Sequence, residues 1–177
     1  MSDFIPFQKI PRLKRGCVIT EKIDGTNAQV VVGEDGSVRA GSRSRWITPE
    51  DDNFGFARWV AEHADGLREL GVGQHFGEWW GDGIQRRYGI KGKRFSLFNT
   101  GRWSNERPAC CDVVPVLFAG EFVTDTVDRV VAELREGGSV ASPGFMRPEG
   151  VIVSMTASRH LYKVMCENDE ISKGEAA

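Results

Sequence analysis

No two cysteines in this chain are spaced for a metal ribbon or a disulfide framework. The four stand at positions 17, 110, 111 and 166. None forms a Cys-x-x-Cys pair, which argues against a zinc ribbon and for reduced thiols in a cytoplasmic protein. Cys110 and Cys111 read better as two loop thiols than as a redox pair. No apolar run approaches the length of a membrane span, and no apolar signal core opens the chain. A soluble, intracellular setting without a membrane partner is the expectation. Basic residues are not in excess either: 23 Lys and Arg face 25 Asp and Glu, for a net charge of −2. Any grip on a polyanion must then come from a local patch and not from the field of the whole molecule. There is no internal repeat, no glycine-rich phosphate loop and no Ser-His-Asp arrangement. His63 falls in a predicted helix and His75 and His160 in predicted strands, where ordinary satisfied side chains are the expectation.

What is present suits one domain of 177 residues, 40% of them hydrophobic, enough to build a core. Residues 17–20 read as a strand. Residues 27–32 and 37–40 flank Glu34-Asp35-Gly36 and read as a hairpin. Thr48-Pro49-Glu50 predicts a helix start with Thr48 as cap, the helix carrying Phe56, Trp59, Val60 and Leu67 inward and fraying near Gly71. Strands follow near 74–80, 93–98 and 113–119. A second helix near 125–136 has Val127, Val130, Val131 and Leu134 at helical spacing and stops at Gly137-Gly138. Two last strands cover 150–154 and 160–165. Strands outnumber helices without alternating with them, which predicts an α+β fold of mainly antiparallel sheets flanked by helices. The expected layout is one domain over 1–165 and a polar tail over 166–177, frayed from Glu167 on.

The chemistry centres on Glu21-Lys22-Ile23-Asp24-Gly25-Thr26-Asn27, a lysine at the end of a β-prone run. An amine attacks only when unprotonated, so a nucleophilic Lys22 needs neighbouring cations or desolvation. Asp24 cannot help by charge; contact with a ribose or a metal-bound water suits it better. Gly25 permits a tight turn and a close approach of backbone to a nucleotide. Alone, the pattern is a weak signal, and a charged β-turn would use the same residues.

Further acids, aromatics and cations follow in order. Phe76-Gly77-Glu78-Trp79-Trp80 sets Glu78 at a strand end where it can accept hydrogen bonds from ribose hydroxyls, although two adjacent indoles also suit a core. Phe95, Leu97 and Asn99 alternate with Ser96 and Phe98, making Phe98 either a base-stacking platform or a core residue. Glu149 precedes the apolar strand Gly150-Val151-Ile152-Val153, a fit place for a magnesium ligand. Lys163 lies between Tyr162 and Val164. Facing inward, it would need an anion such as a triphosphate. Arg86 and Arg87 are candidates for nucleic-acid phosphate contacts, or for a solvated edge.

In order and spacing these elements resemble the covalent nucleotidyltransferase superfamily of ATP-dependent RNA and DNA ligases and mRNA capping enzymes, and most of all its RNA ligases. Residues 21–27 resemble motif I, Ser42-Arg43 motif Ia, Phe76-Gly77-Glu78 motif III, 95–99 motif IIIa, 149–152 motif IV and Tyr162-Lys163-Val164 motif V. The resemblance implies the ligase adenylation-domain fold. It implies Lys22 as the adenylated nucleophile, Glu21 beside the adenine, Arg43 on a phosphate or the sugar, and Glu78 on the ribose. It also implies Phe98 on the adenine ring, Glu149 on the metal and Lys163 on the phosphates, with Asp24, Gly25 and Asn27 completing the nucleotide site. ATP and Mg2+, or Mn2+, are the implied cofactors.

Two departures stand out. Met165 occupies the place of a second motif V cation. The chain also stops soon after motif V, which implies a minimal type without an OB-fold domain, or one whose partner protein supplies the missing surface. The expected activity is joining of 5′-phosphate and 3′-hydroxyl ends through a lysyl–AMP intermediate, with RNA a better substrate than DNA. A minimal DNA ligase, a capping-type guanylyltransferase and a non-catalytic module that binds nucleic-acid ends are the alternatives.

Overall fold

A computed structural model describes residues 4–10 and 12–167; the expected frayed tail from 168 onward lies outside the described residues. The elements run β1 (Gly16–Lys22), β2 (Thr26–Val32), β3 (Val38–Ser42), β4 (Trp46–Ile47), α1 (Phe56–Glu62), α2 (Ala64–Leu67) and a 3-10 turn (Arg68–Leu70). They continue as β5 (Gly73–Gly81), β6 (Lys93–Leu97), β7 (Asp112–Val113), β8 (Val116–Glu121), α3 (Thr124–Gly137), β9 (Gly150–Met155) and β10 (Leu161–Met165). Two sheets result. One is four-stranded, in the order β10-β9-β1-β8; the other is six-stranded, in the order β4-β3-β2-β5-β6-β7. Every pair is antiparallel except β6–β7. This is the mixed α+β architecture that the strand-rich pattern predicts. No helix among the described residues is long and apolar enough to cross a membrane.

Side chains alternate across each strand, so each sheet has two faces of different character. On the larger sheet Ala28, Val30, Trp79, Phe95 and Leu97 bury one face against Phe56, Ala57 and Val60 of α1. On the smaller one Cys17, Ile19, Val151 and Val153 pack against Val127, Val130, Val131 and Leu134 of α3. Full burial of each Val or Leu there contributes about 1.5–3 kcal/mol. Cys166, at the head of the expected tail, still belongs to this second core. A third cluster of Ile23, Trp80, Tyr88 and Val114 is separate from both. The adjacent indoles Trp79 and Trp80 therefore serve two different cores from opposite faces of β5.

The first helix departs from expectation. Residues 48–51 form a turn in which Asp51 N–H donates to Thr48 O at 3.1 Å, and the helix begins only at Phe56. Left-handed backbone at Phe54 (φ 52°) and Gly55 (φ 81°) prevents an earlier start. Asp52, not Thr48, serves the first turn: its Oδ1 accepts from Asn53 N and Ala57 N, both at 2.7 Å. The helical stretch breaks at His63 and resumes as α2 and the 3-10 turn up to Gly71. Residues 125–136, by contrast, lie within α3 as the valine spacing predicts. The four cysteines are all free thiols.

Candidate active site

Lys22 is the last residue of β1, and strand register decides its surroundings. It pairs with Gly150 of β9, which pairs in turn with Met165 of β10. A Cβ at Gly150 would stand 2.2 Å from the Val164 carbonyl oxygen, so no other residue fits between them. Lys22 Nζ forms an ion pair with Glu149 Oε2, the residue just before Gly150. The Glu149 side chain is 2% exposed and that of Lys22 23%. Isolated buried charge is costly, so the ammonium compensates the carboxylate while staying reachable from solvent.

Thr20, Ile152 and Lys163 form a row on the same face as Lys22, two residues along the strands. Lys163 is thus on the predicted side, but it is exposed and not turned inward. β10 is the edge strand, so nothing of the sheet covers it, and burial alone does not demand an anion there. Met165 shares the row of Lys22 itself.

Glu78 comes from the opposing sheet. Its Oε1 accepts from Gly25 N and its Oε2 from Asn27 Nδ2, each at 3.0 Å. Burial raises its pKa to about 7, against the pull of the Gly25 N–H, the Lys22 charge and Asn27; the Glu149 charge adds to the rise. Lys22, Glu149, Glu78, Gly25 and Asn27 are accordingly one cluster assembled from both sheets. Gly25 is required for a reason other than the expected one. A Cβ on it would lie 2.4 Å from Trp79 O and 2.7 Å from Trp80 Cβ, so the glycine lets the chain press against β5.

Glu21 occupies the opposite face of β1 from Lys22. Its side chain is 1% exposed and accepts from Ser139 Oγ at 2.5 Å, Val140 N at 2.8 Å and Ala141 N at 2.9 Å. The carboxylate is held by the loop after α3, on the side of β1 away from Lys22. Strand alternation, applied to positions 21 and 22, was the signal that separates the two. Asp24 is also engaged: Arg86 Nε donates to its Oδ2 at 3.0 Å, and its own N–H donates to Tyr88 Oη at 2.8 Å. Arg86 Nη1 donates further to Arg147 O at 3.0 Å and Pro148 O at 3.3 Å. Arg86 is therefore a strut within the molecule, its guanidinium shared between Asp24 and the 147–148 carbonyls.

Phe98 follows β6 with its N–H on Phe76 O at 3.0 Å, and both rings are exposed. Phe76 shares a face of β5 with Glu78 and Trp80, two residues from each to the next. Phe98 lines a cavity of 220 Å3 with Gln74, Phe76 and Arg102. A second cavity, of 390 Å3, is lined by Trp80, Arg94 and Ser96 together with Pro115, Val140 and Ala141. Arg43 is exposed in the turn between β3 and β4, with no hydrogen bond or ion pair among the described residues. No group of three or more His, Cys, Asp or Glu converges on a metal position among the described residues. Glu149 fits a hard divalent cation as a lone protein carboxylate, since magnesium keeps most of its water and takes the rest from phosphate.

The RNA ligase family profile matches residues 15–168, most of the chain. No curated protein sequence matches it. Among solved structures, a Lys-to-Ala variant of the Naegleria gruberi RNA ligase with ATP and Mn superposes with a TM-score of 0.65 at 21% identity. The same ligase with PPi gives 0.63 at 21% identity, and a Glu-to-Ala variant with AMP and Mn gives 0.64 at 20%. All three cover 85% of this chain and 49% of the other, so the chain spans about half the length of the ligase it resembles. At this identity the likeness establishes the fold.

Proposed function

This chain belongs to the RNA ligase family, and from that premise we propose that it is an ATP-dependent RNA ligase working through a lysyl–AMP intermediate on Lys22. The observation that carries the reading is the Lys22–Glu149 pair: one reachable amine at a strand end, set on a buried acid and facing Glu78 from the other sheet. The domain that does this work runs from the expected 1–165 on to at least Cys166, which packs in the second core, in a cytoplasmic setting that its free thiols suit.

In the first step the Lys22 ammonium loses a proton to water and its lone pair attacks the α-phosphorus of ATP. An N–P bond forms, the bond from that phosphorus to the bridging oxygen breaks, and pyrophosphate leaves with the electron pair. The amine then sheds a second proton to water. Next, a 5′-phosphate oxygen of the nucleic acid attacks the AMP phosphorus; a P–O bond forms, the N–P bond breaks, and the Lys22 nitrogen takes a proton from water as it leaves. Finally a 3′-hydroxyl attacks that 5′-phosphate, releasing AMP and its own proton and closing the phosphodiester. Each step gathers charge on phosphate oxygens, so positioning and cations supply most of the rate. Exposed Arg43 and Lys163 serve the phosphates, Glu78 and Asn27 the ribose, and Phe98 the adenine ring. Glu149 holds magnesium or manganese, which when bound offsets phosphate charge.

Intact-protein mass spectrometry after incubation with ATP and magnesium tests the reading. The expected result is a gain of one AMP, reversed by pyrophosphate and absent from Lys22→Ala, followed by sealing of nicked RNA in preference to nicked DNA. No gain with ATP, GTP or NAD overturns it.

A further inference from the structure

Loop 82–92 joins β5 to β6 and takes an unusual path. Gln85 (φ 43°), Arg87 (φ 61°) and Tyr88 (φ 51°) are all left-handed, a conformation L-residues with side chains rarely adopt, and here three occur within four positions. Ile84 and Tyr88 are 0% and 1% exposed, so the loop is anchored at two points and cannot relax by swinging outward. Asp82 N–H closes its base on Gly92 O at 2.8 Å.

The loop's polar groups reach the chain on both sides of Lys22, at Glu21 and at Asp24. On one side Tyr88 O accepts from Ser142 Oγ at 2.8 Å, Ser142 N–H donates to Ser139 Oγ at 3.0 Å, and Ser139 Oγ donates to Glu21. On the other side Tyr88 Oη holds the Asp24 N–H and Arg86 Nε holds the Asp24 carboxylate. The same guanidinium grips the carbonyls of Arg147 and Pro148, the two residues that lead into Glu149. Glu149 pairs with Lys22 and closes the ring. A planar guanidinium can serve a carboxylate and two carbonyls in divergent directions at once, whereas a lysine ammonium is a point charge without that fork.

We infer that Arg86 and Tyr88 are positioning residues: they set Lys22 against Glu149 by holding residues 21, 24 and 147–148 in one hydrogen-bonded frame. Neither needs to touch the nucleotide. The effect on adenylation rests on the ligase reading above; the effect on the lysine itself does not.

Arg86→Ala, Arg86→Lys and Tyr88→Phe test this with two readouts. The first is acetylation of Lys22 by acetic anhydride without nucleotide, measured by peptide mass spectrometry relative to exposed Lys163. The second is the single-turnover rate of AMP attachment beside the dissociation constant for ATP. In Arg86→Ala, Lys22 acetylation rises relative to Lys163 as the pair with Glu149 loosens. Its AMP attachment slows by about tenfold or more, as expected for a misplaced nucleophile, while ATP binding stays within about twofold. Arg86→Lys falls between wild type and Arg86→Ala. Tyr88→Phe keeps the buried ring, so it carries the test if Arg86→Ala does not fold. Wild-type acetylation ratios in both Arg86→Ala and Tyr88→Phe overturn the inference, as does a loss of ATP affinity that matches the loss of rate. A raised ratio in a protein that never takes up AMP supports the frame and sinks the ligase reading instead.

Discussion

The two faces of the same strands obey different rules. Toward the helices, β1 offers Cys17 and Ile19 and β5 offers Trp79, all nearly inaccessible and apolar, with Glu21 at the end of β1 the one buried charge among the residues named on that side. Toward the other side β1 offers Lys22 and β5 offers Glu78, charged groups kept in place by partners from distant parts of the chain. The helix side is held by contact area, which tolerates many apolar sequences of the right volume. The cleft side is held by a few directional bonds, in which one lost partner leaves a buried charge uncompensated. Stability should therefore concentrate on one face and chemistry on the other.

Lys22→Ala should produce the largest effect: no AMP adduct by intact mass. It should also cost about 3 kcal/mol by denaturant unfolding, because Glu149 loses its cation. A variant as stable as wild type would mean that the pair contributes nothing to the fold. Trp79→Ala and Phe98→Ala separate the faces more directly. The first should cost about 3–5 kcal/mol by urea unfolding; the second should leave the midpoint nearly unchanged while weakening ATP binding in a nucleotide titration. Equal destabilisation by both would break the division. Gly25→Ala tests the seam where the loop after Lys22 meets β5, and overpacking there should cost about 1–3 kcal/mol. A neutral result by thermal unfolding would show that the approach to Trp79 can open.

The smallest effect is one of pH. Burial lifts the Glu78 pKa to about 7, so the folded state binds a proton that the unfolded chain releases at an ordinary carboxylate pKa. The stability this contributes is complete below the unfolded value and is lost as pH rises through about 7. Glu78→Gln, which mimics the protonated acid, should flatten that decline between pH 5 and 8 in unfolding midpoints. Parallel curves for the two proteins would place the titrating group elsewhere.

Much of the helix side was legible in the sequence, because periodicity is a local property. Val127, Val130, Val131 and Leu134 announce α3 and its buried face, and Glu34-Asp35-Gly36 announces the β2–β3 hairpin. Thr48-Pro49 misled for the same local reason. It has the chemistry of a helix start, but Phe54 and Gly55 bend the chain first and Asp52 takes over the capping. On the cleft side the motifs pointed to Lys22, Glu78 and Glu149, which the structure does bring together. They did not show that Glu21 turns away from Lys22, or that Arg86 spans Asp24 and 147–148. The glycines at 81, 83, 89 and 92 around a tyrosine were the available hint that loop 82–92 is built and not merely connecting.

By itself the sequence determined which residues could bear chemistry, the strand and helix periods, and the near balance of acidic and basic charge. These follow from residue type and from spacings within one element. Tertiary structure alone decided who meets whom: Glu149 on Lys22 across 127 positions, Glu78 on Gly25 across 53, Ser139 on Glu21 across 118. Such pairings depend on register between strands far apart in the chain. A shift of one residue would turn every side chain to the other face, and no local pattern encodes that choice.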